Sequence, residues 1–301
     1  MHRARHPTHA ILRHNRIRGA HELKDLYNRV ALAVVDFWMA AVPRRRPDPA
    51  AAARCRIVSH RGQHGGNRTA RENTFEAFEA ARAAGVWGIE TDIRWTADLV
   101  PVLSHDPGTA RVFGKPVTIA GVTFAELRAA VPELPSLAEL VAEFGGNTHL
   151  MLELKEAPFP GTAKRQAEIL RARLAALEPG RDYHVLALDP ALFEAFDIVP
   201  RSCCLSVAQD NMRAISEKTL HAPYGGLTGH FLLLNDAIKR RHEQAGQKVG
   251  TGFVASRNCL WREIGRDVEW IFSDDAVALQ KIVNELVATR GPSATSHRRG
   301  A

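Results

Sequence analysis

The sequence predicts an α/β fold, a (β/α)8 TIM barrel with an N-terminal helical extension. From Arg56 onward short apolar runs alternate with longer stretches of helical periodicity, which is typical of βαβ units and a parallel sheet. At 301 residues the chain is long enough for one such barrel. Nine runs are candidate strands: residues 57–60, 88–93, 100–104, 149–154, 184–188, 203–207, 225–228, 249–254 and 270–272. A barrel needs eight, so we expect one of the shorter runs, with 225–228 the first candidate, not to be a barrel strand.

Stretches with helical periodicity lie between these runs, as an alternating fold requires. They include residues 74–84, 137–144, 164–177 and 235–245. Ahead of the barrel, apolar residues recur at spacings of three and four between residues 23 and 42, which predicts an amphipathic helix that ends at Pro43. We therefore predict three parts. They are a basic flexible arm, this helix and a linker in residues 1–53, a barrel in residues 54–290, and a disordered C-terminal tail in residues 291–301.

The positive charge of the chain is concentrated at its N-terminus. Residues 1–50 hold 10 Lys and Arg against 4 Asp and Glu, a net charge of +6, whereas residues 51–301 hold 30 against 29, a net charge of +1. A nearly neutral barrel does not offer the basic groove that nucleic-acid binding requires, so we expect no nucleic-acid partner. We expect the N-terminal helix to pack on the barrel, and the alternative is peripheral contact of residues 1–50 with a membrane.

The sequence also predicts where in the cell the protein is found. It has no run of 18 apolar residues and no secretory signal at its start, so we expect no membrane span. Its four cysteines, Cys55, Cys203, Cys204 and Cys259, lack the spacing of a metal site. We interpret them as reduced core residues and expect a cytoplasmic protein, with membrane association as the alternative.

Chemically reactive residues follow the first four predicted strands. The groups are Ser59-His60-Arg61-Gly62, Glu90-Thr91-Asp92, Ser104-His105-Asp106 and Glu153-Leu154-Lys155. The carboxyl ends of barrel strands meet at one face, where barrel enzymes place their active sites. We therefore expect two histidines, three carboxylates and two cations to converge on one cavity.

The residue types in these groups indicate metal-assisted chemistry. Glu90 and Asp92 are two apart on a strand, so both side chains point to the same side, and Glu153 could supply a third oxygen ligand. Carboxylate oxygens suit one hard divalent cation, Mg²⁺ or Ca²⁺. His60 and His105 suit an acid and base pair because imidazole titrates near neutral pH.

Six short motifs in order resemble the glycerophosphodiester phosphodiesterase family. They are His60-Arg61-Gly62, Glu72-Asn73-Thr74, Glu90-x-Asp92, Thr96-x-Asp98, His105-Asp106 and Glu153-Leu154-Lys155, and Ile271-Phe272-Ser273-Asp274 resembles the family's final strand. The resemblance implies metal-dependent hydrolysis of a glycerophosphodiester to glycerol phosphate and an alcohol. It assigns the metal to Glu90, Asp92 and Glu153, proton transfer to His60 and His105, the substrate phosphate to Arg61 and Lys155, and a supporting role to Glu72.

Two alternatives remain open at this point. The first is a lipid phosphodiesterase of lysophospholipase D or sphingomyelinase D type, which could release a cyclic phosphate by attack of a substrate hydroxyl. The basic arm and amphipathic helix favour it. The second, of another class, is a catalytically inactive barrel that serves as a binding module, against which the complete set of His60, His105 and three carboxylates argues.

Overall fold

The computed structural model describes residue 34 and residues 37–289. The chain divides into two units, residues 1–44 and residues 45–301. Within the first unit, residues 37–41 are helical, and the rest of the predicted amphipathic helix lies outside the described residues, as do the basic arm and the predicted tail. No helix in the described ranges is long and apolar enough to cross a membrane.

Eight parallel strands close into the predicted barrel. The described residues form nine strands: β1 (Ile57–His60), β2 (Gly88–Trp95), β3 (Pro101–Leu103), β4 (His149–Leu154), β5 (Tyr183–Ala187), β6 (Cys204–Ala208), β7 (Gly226–His230), β8 (Lys248–Gly252) and β9 (Trp270–Ser273). The barrel order is β1-β2-β4-β5-β6-β7-β8-β9, and β9 pairs with β1 to close it. The fold class is confirmed.

The strand that does not belong to the barrel is β3, so the expectation for residues 225–228 was wrong. That run forms most of β7, a full barrel strand. Strand β3 instead pairs antiparallel with the end of β2. Its position in the sequence explains this, since six residues, 94–99, separate the two predicted strands, and a parallel crossover needs a dozen or more. The chain turns at Leu99, which has a left-handed φ of 59°, and Thr96 N donates to Val100 O at 3.1 Å.

Eleven α-helices and two 3₁₀ turns accompany the strands in residues 45–289. The helices are α1 (Pro49–Arg54), α2 (Phe75–Ala83), α3 (Ala110–Phe113), α4 (Phe124–Ala130), α5 (Leu137–Phe144), α6 (Ala163–Leu174), α7 (Ala191–Phe196), α8 (Met212–Leu220), α9 (Asp236–Gln244), α10 (Arg257–Gly265) and α11 (Ala276–Ala288). The 3₁₀ turns are Ile119–Gly121 and Arg201–Cys203. Helix α1 falls where the sequence predicts a linker, and it contacts α11. All four predicted helices are present.

The barrel interior is apolar directly below its C-terminal end. One buried cluster joins inward-facing side chains of five strands: Val58, Met151, Leu186, Leu205, Trp270 and Phe272. Because inward-facing positions recur every two residues along a strand, the next inward positions toward the C-terminal end can be read from the sequence. After Leu186 and Leu205 they are the apolar Leu188 and Val207, whereas on β1, β4 and β9 they are polar. They include His60 after Val58, Glu153 after Met151 and Asp274 after Phe272. These polar residues therefore lie directly above a packed apolar layer.

A second apolar cluster lies in the long segment between β2 and β4. Its buried members are Val102, Phe113, Ile119, Leu127, Val131 and Leu134. Helix α5, which follows this segment, begins with a capping box in which Ser136 and Glu139 satisfy each other's backbone N–H groups. This packing gives the segment a fixed shape on the C-terminal side of the barrel, where it supplies residues to the cavity described next.

Candidate active site

Three carboxylates meet inside the C-terminal end of the barrel. Glu90 and Asp92 lie on β2, and Asp92 pairs in register with Glu153 of β4. One carboxylate oxygen from each residue lies within 4.8 Å of the others. The three residues are 2%, 0% and 8% exposed, respectively. The structure thus brings together the three residues that the sequence predicts as metal ligands.

This cluster holds more negative charge than its burial favours. Burial, and then the charge of Asp92, raise the pKa of Glu90 to about 8 and also raise the pKa of Glu153. Burial alone would raise the pKa of Asp92 too, but Arg61 and Lys155 outweigh it and lower that pKa. Within the described part of the chain, the buried Glu90 Oε1 has no hydrogen-bond donor. Asp92 Oδ1 is in the same position, and three hard oxygen donors of this kind fit a divalent cation such as Mg²⁺ or Ca²⁺.

Two cations flank the carboxylates. Lys155 Nζ lies 2.7 Å from Glu153 Oε1 and 3.3 Å from Asp92 Oδ1. Arg61 Nε lies 3.2 Å from Asp92 Oδ2. Both side chains therefore share the carboxylate of Asp92, and both line the cavity as predicted. Asn73 supports this arrangement, because its Nδ2 donates to Asp92 Oδ2 at 2.9 Å.

A tight turn after β1 places Arg61. Arg61 has a left-handed φ of 56° and its N–H donates to Glu90 O at 3.0 Å. Gly62 follows with a φ of 79°, and a Cβ built there would lie 2.7 Å from Ala77 Cβ. Glycine is required at this position for both reasons, since a side chain would be strained and would collide with α2.

His60 is held between two carboxylates. Its Nδ1 lies 2.7 Å from Asp274 Oδ1, and its Nε2 lies 3.8 Å from Glu90 Oε2. Because a carboxylate only accepts hydrogen bonds, Nδ1 carries the proton and Nε2 is the nitrogen that faces the carboxylate cluster. Burial would lower the pKa of His60, but Glu90 and Asp274 outweigh it and raise the pKa to about 8.

His105 reaches the same cavity by a route that the sequence analysis did not foresee. It does not end a parallel barrel strand, because β3 runs back along β2 and returns His105 to the level of Asp92. Ser104 N donates to Asp92 O at 3.0 Å, and Arg94 Nε donates to His105 O at 2.9 Å. His105 Nδ1 lies 2.7 Å from Asp106 Oδ1, which again leaves Nε2 available. Burial and then Arg61 lower the pKa of His105.

Glu72 anchors a network that connects the two halves of the site. Arg61 Nη1 donates to Glu72 Oε1 at 3.2 Å. Arg111 of α3 donates to both oxygens of Glu72, at 2.6 and 2.9 Å, and to Asp106 Oδ2 at 2.6 Å. Burial would raise the pKa of Glu72, but the hydrogen bonds from Arg111 and the charge of Arg61 lower it to about 2. Arg111 thereby joins the loop that carries Arg61 to the partner of His105.

Four residues that hold this site together received no role from the sequence: Asn73, Asp106, Arg111 and Asp274. Asn73 and Asp106 lie in two of the quoted motifs, Glu72-Asn73-Thr74 and His105-Asp106. The position of Asp274 could have predicted that it belongs to the site. It lies two residues after the inward-facing Phe272 at the end of a strand, so its side chain also points into the barrel. Nothing in the sequence indicated Arg111, because it is 39 residues from Glu72 and lies on a four-residue helix.

The cavity itself has two unlike walls. Its volume is about 110 Å³. One wall consists of the residues described above: His60, Arg61, Glu90, His105, Glu153, Lys155 and Asp274. The opposite wall is mainly apolar, with Leu186, Leu188, Val207, Phe253 and Phe272, and its polar side chains are Gln209, Thr228 and Ser273. The cavity therefore combines a charged wall with an apolar one.

Comparison with known proteins places this site in a family. The model of the glycerophosphoryl diester phosphodiesterase family matches residues 60–251. The chain belongs to that family. The match begins at His60 and includes every predicted site residue, whereas Asp274 lies beyond it.

A curated relative, glycerophosphodiester phosphodiesterase 1 of Bos taurus, is 30% identical over 142 residues, which is 42% of this chain and 42% of that protein. The Rattus norvegicus protein of the same name is 33% identical over 122 residues, 36% of each chain. The chain thus matches less than half the length of these mammalian relatives.

Solved structures of this family share the barrel. The glycerophosphodiester phosphodiesterase from Thermotoga maritima superposes with a TM-score of 0.63 at 19% identity, covering 76% of this chain and 98% of its own. A phosphodiesterase from Oleispira antarctica, solved with the product sn-glycerol-3-phosphate, gives 0.64 at 20% identity, covering 79% and 97%. At these identities the likeness establishes the fold.

Proposed function

We propose that this chain hydrolyses glycerophosphodiesters to glycerol phosphate and an alcohol, in a reaction that requires one divalent cation. The observation that carries the proposal is the convergence on one cavity of the carboxylate cluster and two histidines, each held at Nδ1 by a carboxylate. Membership of the family supports the substrate class, and the glycerol phosphate bound to the Oleispira antarctica relative supports the product.

Glu90, Asp92 and Glu153 are the residues that would hold the cation. When bound, Mg²⁺ or Ca²⁺ would offset negative charge that develops on the phosphoryl oxygens during attack. Arg61 and Lys155 border the same cavity and would contact the phosphate, Arg61 with a planar fork and Lys155 as a point charge. Glu72 keeps Arg61 in place through the bond to Nη1.

His60 and His105 would move the protons. One imidazole takes a proton from the attacking water as its oxygen bonds to phosphorus, and the other gives a proton to the alcohol as the second phosphorus–oxygen bond breaks. Their surroundings push the two pKa values in opposite directions, upward for His60 and downward for His105. Such a separation is what an acid and base pair needs, because one member must start protonated and the other neutral.

Release of glycerol phosphate from glycerophosphocholine tests the proposal. We expect metal-dependent turnover that a chelator abolishes and that falls about 10²-fold or more in His60→Ala and in His105→Ala. His221→Ala, at an exposed histidine that follows α8, is the control and should keep wild-type activity. Turnover by metal-free protein would show that the reaction does not require a divalent cation. Full activity in either site variant would reject the histidine pair, and no turnover of any phosphodiester would favour the inactive binding module.

We also infer that residues 1–53 are an accessory segment of the barrel and that the protein works in the cytoplasm. The charge difference between the N-terminal 50 residues and the remainder supports a separate role for the segment. The cysteine thiols Cys203 and Cys204 are adjacent and buried, which is consistent with a reducing compartment.

A further inference from the structure

Asp274, the residue that holds His60, is itself held by few contacts. Its side chain is 49% exposed, and within residues 37–289 its carboxylate has two polar partners, both histidines. His60 Nδ1 lies 2.7 Å from Asp274 Oδ1, and His64 Nε2 lies 3.6 Å from the same oxygen. A half-exposed carboxylate is free to turn toward water unless its contacts prevent it. The contact with His64 therefore bears on the orientation of His60.

His64 is fixed in position by the backbone around it. Its side chain is 8% exposed, and Gly66 N donates to its Nδ1 at 3.1 Å. The preceding residue, Gln63, is tied to two helices. Gln63 N donates to Ala77 O of α2 at 2.9 Å, and Val277 N of α11 donates to Gln63 Oε1 at 3.1 Å. The imidazole is thus attached to the packed part of the barrel and not to a free loop.

The bond from Gly66 determines which nitrogen of His64 carries the proton. A backbone N–H only donates, so Nδ1 accepts, and the proton is at Nε2, the nitrogen that faces Asp274. Within the described part of the chain this buried Nε2–H has no hydrogen-bond acceptor. Asp274 Oδ1 lies just beyond hydrogen-bond range of it, and bonds in an active site often tighten only when substrate binds.

The charge and position of Asp274 suit a shared acceptor. Partial burial would raise the pKa of Asp274, but His60 and then His64 outweigh it and lower that pKa. The ionised carboxylate can accept a bond from each imidazole. Asp274 lines the cavity, whereas His64 is not among the described residues that line it. His64 can therefore influence the reaction through Asp274 and not by contact with the substrate.

We propose that His64 is a positioning residue for the hydrolysis. Its Nε2–H and the Nδ1–H of His60 together fix the carboxylate of Asp274, and that carboxylate keeps His60 Nε2 directed at the carboxylate cluster. This inference rests on the proposed function. A carboxylate that accepts from two fixed donors cannot turn without breaking both contacts. An imidazole whose Nδ1 partner can turn away loses the tautomer and orientation that proton transfer requires.

The first test measures kcat and KM for glycerophosphocholine in two variants of His64. His64→Leu fills the space but cannot donate, so kcat should fall about 10-fold, less than for loss of His60 itself. KM should stay within about twofold because Arg61 and Lys155 are unchanged. His64→Gln keeps an N–H donor and should recover kcat to within about threefold of the wild type. A residue that only fills space would tolerate leucine better than glutamine, and that order would overturn the proposal.

His149→Leu is the matched control. His149 is 7% exposed, close to the 6% of His64, but it begins β4 and so lies at the opposite end of the barrel. Its loss should leave kcat within about twofold of the wild type in the folded protein. An equal fall of kcat in His149→Leu and His64→Leu would show that loss of any buried histidine has this effect, and would overturn the proposal.

A double-variant cycle tests whether His64 acts through Asp274. In an Asp274→Asn background, His64→Leu should lower kcat less than about twofold, because the carboxylate it fixes is already lost. Equal losses in the two backgrounds, or full kcat in His64→Leu alone, would overturn this inference and leave the proposed function intact. No hydrolysis by the wild type would overturn both. Nitrogen NMR of the histidine-labelled wild type needs no variant and should find the His64 proton at Nε2, and a proton at Nδ1 would contradict the proposed contact.

Discussion

Replacement of Arg111 by Met removes the cation that joins Glu72 to Asp106. Arg111 donates three hydrogen bonds to these two carboxylates, at 2.6, 2.9 and 2.6 Å. The side chain of Glu72 is 4% exposed, so the variant leaves a buried charge. Of its partners among residues 37–289, Glu72 would keep the cation Arg61 and the neutral Asn67. We therefore expect Arg111→Met to be destabilised.

The size of the loss follows from burial. Removal of one partner from a buried ion pair costs about 3–5 kcal/mol. The Arg111 side chain is 45% exposed, and solvent weakens its contribution, so we expect a loss of about 2–3 kcal/mol in the free energy of unfolding at pH 7. The folded state holds the pKa of Glu72 at about 2, below the ordinary 4.5, so its ionised form contributes stability above pH 4.5 that disappears as the pH falls toward 2. The difference between wild type and variant should shrink over the same interval.

Arg82→Met is the matched control for urea unfolding. Arg82 also bonds two carboxylates, Glu79 at 2.6 Å and Glu143 at 3.3 Å, but both are about half exposed. Exposed pairs contribute about 1 kcal/mol or less. Arg111→Met should also lower kcat, because Asp106 loses the anchor that fixes the partner of His105. Equal destabilisation of the two variants would refute the importance of the buried Glu72.

Three further predictions concern other parts of the chain. Burial lowers the pKa of His149 to about 4 and that of His184 to about 3, so both are neutral in the fold; their contribution to stability is complete above the ordinary pKa of 6.5 and is lost as the pH falls from there toward 4. Melting temperatures should fall over that interval in the wild type and fall less in His149→Gln, and identical slopes would contradict this. Gly62→Ala should cost about 2 kcal/mol or more, whereas Gly85→Ala, with a φ of 75° but open space around it, should cost about 1 kcal/mol, and urea unfolding that ranks them equally would rule out the collision with α2. Deletion of residues 1–44 should lower the melting temperature without affecting vesicle binding; tight, salt-sensitive vesicle binding that the deletion removes would instead identify an interfacial anchor.

Much of the fold could be predicted from periodicity alone. Barrel strands buried on both faces appear as short apolar runs, and every such run proved to be a strand. The direction of β3 could not be read from its own residues, because a three-residue apolar run looks the same in either direction. The direction follows instead from the length of the connection after β2, which is too short for a parallel crossover.

Part of the candidate site could likewise be predicted from the sequence, and part could not. Glu90, Asp92 and Glu153 could be grouped because their strands are neighbours in the barrel and carry them to one end. The partner of His105 is Asp106, the next residue in the sequence, whereas the partner of His60 is remote. The bond from His60 to Asp274 joins residues 214 positions apart, and it depends on closure of β9 against β1. Such partners follow from the closed barrel, so they could be identified once the structure was known.

The carboxylate cluster is tested most directly by calorimetric titration of chelator-treated protein with Mg²⁺ and with Ca²⁺, in the wild type and in Glu90→Gln. We expect one binding site per chain in the wild type, with phosphodiester hydrolysis restored in proportion to its occupancy. Glu90→Gln should lose that site while its metal-free form remains at least as stable as the wild type, because the pKa of Glu90 is raised to about 8 by burial and by Asp92, and a neutral amide relieves that unfavourable charge. Hydrolysis without bound cation, or unchanged binding in Glu90→Gln, would contradict a metal site at Glu90, Asp92 and Glu153.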